Sequence, residues 1–479
     1  MISKNDTTAS NSDNSTDSLA PQKLSVFAKL SWGVGAIVDV YMINAMSYLA
    51  LPIYNIALGV DPRMLSWAMG IPRFLDAIAD PIIGNISDNT RTRWGRRRPY
   101  IAIGAILCGI MFALMWMPPT SLSPNGLAIF FLLVGILYYA GYSIFGIPWT
   151  ALGYELSTDY NERTRIMAYR TFITALGGLG LGTLWWLSLR IGKNEVEGVR
   201  VVGILVGVLI IIVGLMPALF CREAASGQCQ KMISLKAGLK STFRNKPFLQ
   251  ISTIVFLILI GIFIVQPLSL YINIYYVYGG DKEAVSTLNL FCNFGFQGIG
   301  LVLTPLVAFM GTHLGKKKTL LIGLGTVAIS FPLSWFFYTP ACPYLQLICL
   351  GMASVGLSCV WVLSGAMIAD VCDIDELATG LRREGMYGAV FAWVCKVGVA
   401  AVMILSGYML NWSGYDAQFQ MQTPQTVFLL RFLYAAVPPM FLIVAIIITA
   451  LYPVDEKRVR ETRAILDQRK QAAAIQCIE

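Results

Sequence analysis

Ionisable side chains are scarce in this chain. Asp, Glu, Lys and Arg make up 13% of the 479 residues, about half the share of an ordinary soluble domain. There is one histidine, which excludes a His-rich metal centre and an HExxH site, since that motif needs two. No GxSxG elbow and no GxxxxGK loop occurs, so a serine hydrolase and a P-loop enzyme have no support, and the chain does not read as an enzyme. The ten cysteines include no CxxC pair. Most of them fall in apolar segments and read as small buried hydrophobes. The start, MISKNDTTASNSDNSTDSLAPQK, has no apolar core. It reads as a disordered tail and not as a signal peptide.

What the chain has in abundance is apolar sequence, 56% of residues against about 45–50% for soluble domains. Many runs reach the roughly 20 residues that a membrane helix needs. A membrane barrel would show alternating segments of about 10 residues instead. The fold class expected is an all-α polytopic membrane protein with twelve transmembrane helices. The spans lie near 27–55, 63–88, 99–118, 125–154, 164–190, 198–221, 247–278, 284–311, 319–338, 343–370, 384–411 and 425–452. The expected organisation is a tail (1–25), a six-helix bundle (26–221), a basic central loop (222–246), a second bundle (247–452) and a charged, helical tail (453–479).

Charge sets the expected orientation. With the N-terminal tail inside, 28 of the 36 Lys and Arg residues fall on the cytoplasmic side, five outside and three (Arg73, Lys396 and Arg431) within spans. That asymmetry predicts both termini in the cytoplasm of a cell-membrane protein and explains the net charge of +9, with no nucleic acid as partner.

The halves echo one another. The loop after the second span, GNISDNTRTRWGRRRPY, carries Gly84, Asp88, Gly95 and Arg96, Arg97 and Arg98. The loop after the eighth, GTHLGKKKTL, carries Gly311, Gly315 and Lys316, Lys317 and Lys318. After the fourth and tenth spans, YELSTDYNERTR and ADVCDIDELATGLRRE are both acidic and then basic. Two repeated six-helix halves are the organisation of a major facilitator transporter. Asp88, Arg96, Arg97, Arg98, Glu155, Asp159, Arg163, Asp370, Asp373, Arg382 and Arg383 are therefore candidates for charge-assisted pairs between bundles, a cytoplasmic gate. The plainer alternative is that the basic triplets are topology signals alone.

Charges inside spans are functional candidates by default. Asp76 and Asp80 are four apart and Arg73 three before Asp76, so all three share one helix face. Two carboxylates one turn apart offer oxygen ligands to a monovalent cation, or a place for a proton. The alternative is a structural ion pair with Arg73. Lys396, in MYGAVFAWVCKVGVA, lies far from both ends of its span and needs a carboxylate, for which Asp76 or Asp80 is the natural choice. Asp39 is a third central carboxylate. Tyr142 and Trp149 share a helix face, Arg170 opens the next span, and Trp393 precedes Lys396 by three. Aromatics near convergent polar groups suit a sugar, although ordinary packing is the commoner role of any single aromatic.

The segments RFLDAIADPIIG with TRTRWGRRRPY, IPWTALGYELSTDYNERTR, ADVCDIDELATGLRREGMYGAVFAWVCKVG, KLSWGVGAIVD and YPVDEKR resemble the melibiose-permease-like glycoside–pentoside–hexuronide:cation symporter family of the major facilitator superfamily. The likeness spans about residues 28–458. It implies sugar uptake driven by Na⁺, Li⁺ or H⁺, by alternating access, in a monomer that needs no cofactor beyond the transported cation and no other metal. It implies a cation site at Asp76 and Asp80, coupling roles for Arg73 and Lys396, and substrate-site positions at Trp149 and Arg170. Two positions depart from the family pattern. Gly146 stands where a helix 4 aspartate is expected, and Val40, beside Asp39, where a helix 1 aspartate is expected. The missing carboxylate favours H⁺. A lysophospholipid transporter of the same superfamily branch and a homologue turned sensor are the alternative readings.

Overall fold

Within hydrocarbon every backbone N–H and C=O needs a partner inside the protein, so long apolar runs must coil. The computed structural model describes residues 24–157, 160–221, 223, 242, 245–379, 384–416, 419 and 421–476. The N-terminal tail and most of the central loop lie outside these residues. Among the described residues there is no β-strand. The helices are α1 (Val26–Ala57), α2 (Pro62–Asn89), α3 (Arg98–Met115), α4 (Pro124–Glu155), α5 (Tyr160–Leu181, continued by Thr183–Ile191), α6 (Glu195–Phe220), α7 (Lys246–Val277), α8 (Lys282–His313), α9 (Lys316–Phe337), α10 (Gln346–Thr379), α11 (Glu384–Trp412), α12 (Pro424–Ala450) and α13 (Glu456–Gln476).

Of the twelve spans expected, eleven are long and apolar enough to cross a membrane. The exception is α2, because Arg73, Asp76 and Asp80 sit near its middle. Its 28 residues still extend about 42 Å, more than the roughly 30 Å of a hydrocarbon core.

Local signals recur at a fixed spacing of 220 residues. Gly59 and Gly279, and Gly95 and Gly315, all have positive φ. Asp61 caps α2 by accepting the backbone N–H of Arg63 and Met64, and Asp281 caps α8 from Glu283 and Ala284. Just before these caps, α1 and α7 both end in a wide π turn, at Leu51–Ala57 and Asn273–Val277.

In the first half α3 packs on α4 and α6, α2 on α4, and α1 on α5. In the second half α9 packs on α10 and α12, α8 on α10, and α7 on α11 and α12. The halves meet where α2 crosses α11 and where α8 crosses α5. Small residues allow the first crossing: a Cβ on Gly407 would overlap the Ser66 side chain and the Pro62 carbonyl.

The two faces of the molecule differ. On the face away from the basic triplets, bonds run between halves. Lys282 meets Glu195 at 2.8 Å, Arg190 meets Glu283 at 3.2 Å, and the Tyr271 hydroxyl donates to Asn55 at 2.6 Å. The Trp67 indole donates to the Tyr408 hydroxyl at 3.0 Å. On the basic face, each ion pair between described residues stays within one half. The described residues thus bond the halves together on one face and form no ion pair between them on the other.

Candidate functional site

The site is built mainly on α2, α4 and α11. Asp76, fully buried, accepts from Arg73 at 3.1 Å through Oδ2, and the same oxygen lies 2.9 Å from Lys396 Nζ. Lys396 also reaches Asp80 Oδ2 at 2.5 Å. The ammonium of the second half therefore sits between the two carboxylates of the first. Ser143 of α4 completes the cluster, with its hydroxyl 2.7 Å from Asp76 Oδ1 and 3.1 Å from Asp80 Oδ1. One hydroxyl carries one proton, so it is shared between the carboxylates or replaced by a proton residing on one of them.

Aromatic faces wall the charges in. The Arg73 guanidinium lies 5.3 Å from the Tyr139 ring centre and 5.9 Å from that of Tyr142, and Lys396 Nζ lies 5.4 Å from Tyr142. Beyond Tyr142 is a second polar group. The Tyr142 hydroxyl donates to Asp39 Oδ1 at 2.7 Å, and Arg170 holds Asp39 Oδ2 loosely at 3.5 Å. Asp39 and Arg170 are partly exposed, so this pair is accessible to a hydroxylated ligand. Across both groups, Asp39, Asp76 and Asp80 balance Arg73, Arg170 and Lys396.

Trp149, expected at the substrate site, has no exposed ring face. It is fully buried, stacked on Trp32 and Phe145, and exchanges indole-to-carbonyl hydrogen bonds with Trp32 at 2.9 and 3.0 Å. Its face toward the site is covered by Arg170, 4.8 Å from the ring. Trp149 therefore meets the Asp39 pair only through Arg170. Trp393 is 44% exposed and makes none of the contacts that gather the other residues.

Among the described residues, the candidate gate residues pair within their own halves. Arg96 pairs with Glu155 at 2.5 Å and Arg97 with Asp88 at 2.9 Å, all in the first half. Lys316 pairs with Asp370 at 2.5 Å, and Arg463 of α13 reaches Asp370 and Asp373, all on the second half's side. The reason is geometric: each triplet follows a helix that ends beside the acidic end of its own neighbour. Arg98 bonds the carbonyls of Ala218 and Leu219. Asp159, Arg382 and Arg383 lie outside the described residues, as does the side chain of Arg163.

Sequence reasoning missed three participants. Ser143 and Tyr139 lie beside Tyr142 in YYAGYSIFG, and only the three-dimensional crossing of α2 and α4 singles them out. Glu223 accepts the backbone N–H groups of Arg96, Arg97 and Arg98 at 2.8, 2.8 and 3.0 Å, filling the cradle at the start of α3. Gly95, with φ of 107°, leaves the room for that carboxylate.

Two helical bundles, meeting around an intramembrane cluster of charges, define a polytopic membrane transporter. Residues 31–456 match the model of the MFS/sugar transport protein family, and the chain belongs to that family. It is similar to the glucuronide carrier protein homolog of Escherichia coli K12, 27% identical with 94% of this chain and 97% of that one covered. It is also similar to the isoprimeverose transporter of Lactiplantibacillus pentosus, 24% identical with 84% and 83% covered. Among solved structures, an inward-facing, occupied bacterial homologue of the human lysosomal transporter Spinster shares the fold. Its TM-score is 0.64 at 16% identity, with 89% of this chain and 96% of that one covered.

Proposed function

We propose that the protein is a cation-coupled symporter of a sugar or glycoside, working as a monomer in the cell membrane with both termini and the basic triplets in the cytoplasm. The observation that carries this reading is Lys396 seated between Asp76 and Asp80, at 2.9 and 2.5 Å. The ammonium occupies the place a transported cation would take. Withdrawing it without a replacement leaves buried charge uncompensated, a cost of about 3–5 kcal/mol. At 1.4 kcal/mol per tenfold, that disfavours the separated state by roughly a hundredfold to a few thousandfold. A proton or Na⁺ between the aspartates removes the penalty and frees the two halves to rock.

Arg73 holds Asp76 in place, and Asp39 with Arg170 and Tyr142 offers hydrogen bonds to sugar hydroxyls. With Arg73 and Lys396 already at the aspartates and Gly146 contributing no carboxylate, a proton is the favoured cation. With the basic triplets inside by the positive-inside pattern, the bonds between halves on the opposite face lie on the outer side.

The test is uptake of labelled glycosides into proteoliposomes under imposed H⁺ or Na⁺ gradients. The expected result is accumulation driven by the H⁺ gradient in the wild type and none in Asp76→Asn or Asp80→Asn. Full gradient-driven uptake in both variants would sink the cation site. An absence of flux and counterflow across a broad sugar panel would favour a sensor.

A further inference from the structure

Arg431 differs from the three cations of the site described above. Arg73, Arg170 and Lys396 each have a carboxylate, whereas no carboxylate among the described residues lies within 4.0 Å of Arg431. Its guanidinium is fixed all the same. One η nitrogen donates to the Trp335 carbonyl at 2.7 Å. The rings of Tyr276 and Trp335 lie 4.0 and 4.4 Å from the guanidinium carbon. The ε nitrogen is buried without an acceptor, and the other η nitrogen makes no hydrogen bond. An oriented, desolvated charge with free donors and no internal anion is built to receive an anion.

Its surroundings name the kind of anion. Phe428 packs edge-on against Trp335 with ring centres 5.6 Å apart and stacks on Phe432. Both are about half exposed, and Phe336, next to Trp335 in sequence, is 70% exposed, so the outer surface beside Trp335 is apolar. Arg431 lies seven residues into a helix of 27 that starts on the face opposite the basic triplets. That puts it about 10 Å along a helix of about 40 Å, or roughly 5 Å inside the edge of a 30 Å hydrocarbon core. An arginine at that depth reaches the headgroup layer with its stem in the apolar phase. The tyrosine and tryptophan beside it are the residues that favour this layer.

We propose that Arg431, held by Trp335 and Tyr276, is a binding site for the phosphate of a phospholipid resident in the leaflet opposite the basic triplets. The lipid's acyl chains lie along Phe336, Phe428 and Phe432. It is a structural ligand, separate from the transport cavity, since Arg431 bonds only α7 and α9 of its own half.

Native mass spectrometry of the full-length protein in mild detergent tests this with phosphatidylglycerol, diacylglycerol and inorganic phosphate as probes. Wild type is expected to retain phosphatidylglycerol about fivefold more than Arg431→Gln, the factor expected for one basic contact at a membrane surface. Arg431→Lys is expected to fall between them, and neither diacylglycerol nor inorganic phosphate to displace the bound lipid. Equal retention by Arg431→Gln overturns the site. Displacement by diacylglycerol reduces it to apolar adhesion, and displacement by inorganic phosphate makes it a soluble-anion site. Both overturn the lipid assignment. A measurement on wild type alone guards against a misfolded variant: phosphatidylglycerol is expected to raise the melting temperature, and diacylglycerol is not. An equal rise with both lipids counts against the proposal.

Discussion

Where α2 crosses α11, a guanidinium, an ammonium and two carboxylates meet. At the positions 220 residues on, where α8 crosses α5, the counterparts of Arg73, Asp76 and Asp80 are Asn293, Phe296 and Gly300. Asn293 accepts from the Tyr48 hydroxyl at 2.9 Å and donates to the carbonyls of Gly178 and Leu179, both at 3.0 Å. At these matched positions one crossing is ionic and the other neutral, and the α5–α8 ion pair of Arg190 with Glu283 lies elsewhere, on the face away from the basic triplets. Neutral hydrogen bonds contribute about 1 kcal/mol each and involve no net charge, so they tie the halves without depending on any ion. The ionic crossing separates cheaply only when another cation arrives. Under the proposed symport, the difference places coupling at one crossing and simple attachment at the other.

The sharpest way to break this comparison is to neutralise each crossing in turn. Asp76→Asn is expected to lower concentrative uptake by about a hundredfold or more, since it removes one of the two carboxylates and leaves Arg73 buried without its partner, while Lys396 keeps only Asp80. Asn293→Ala is expected to lower it only a few-fold, by loss of neutral bonds of about 1 kcal/mol each. Equal losses in a proteoliposome assay would end the distinction.

Next in size is stability. Lys396→Ala leaves two buried carboxylates facing each other and is expected to destabilise the protein by about 3–5 kcal/mol. Adding Asp80→Asn removes the repulsion, so the double variant is expected to melt above Lys396→Ala. A double variant that melts lower still would mean that Lys396 does not pair with Asp80.

Smaller effects probe the features the halves share. Asp61→Ala and Asp281→Ala each remove a helix cap and are expected to cost about 1 kcal/mol, similarly in both halves, as read from thermal melts. The smallest effect is a pH dependence. Partial burial lifts the carboxyl of Asp61, but hydrogen bonds from the Arg63 side chain and backbone outweigh it and hold the group below the ordinary carboxylate range. Its stabilising contribution is therefore present above the unfolded carboxylate value and lost as pH falls through the lower, folded value. An exposed pair of this kind is expected to shift acid stability by a few tenths of a kcal/mol, and Asp61→Asn to abolish that arm.

Much of this was legible beforehand for definite physical reasons. Apolar length marked the spans, and helical periodicity put Arg73, Asp76 and Asp80 on one face. The cost of an unpaired lysine in hydrocarbon pointed Lys396 toward those carboxylates. What stayed hidden depends on which helix lies beside which. Ser143 is one hydroxyl among many until α4 lies against α2. Trp149 reads as a substrate-site aromatic until Trp32 stacks on it. The triplets Arg96–Arg98 and Lys316–Lys318 look able to bridge the bundles, because a sequence does not show that each acidic helix end is nearer its own half. The eleventh-against-twelfth discrepancy in span count has the same root as the function: α2 fails an apolarity test because it carries the site.

The 220-residue register also has a historical meaning. Two positive-φ glycines, a capping aspartate and a wide turn at matching places are too many coincidences for separate origins, so both halves descend from one ancestral six-helix unit. The ionic cluster is absent from the second copy, and Lys396 reaches it only from the opposite half. The ionic cluster is therefore a property of the whole chain. Half the protein, paired with a copy of itself, would reproduce the architecture without the pairing of Lys396 to Asp76 and Asp80.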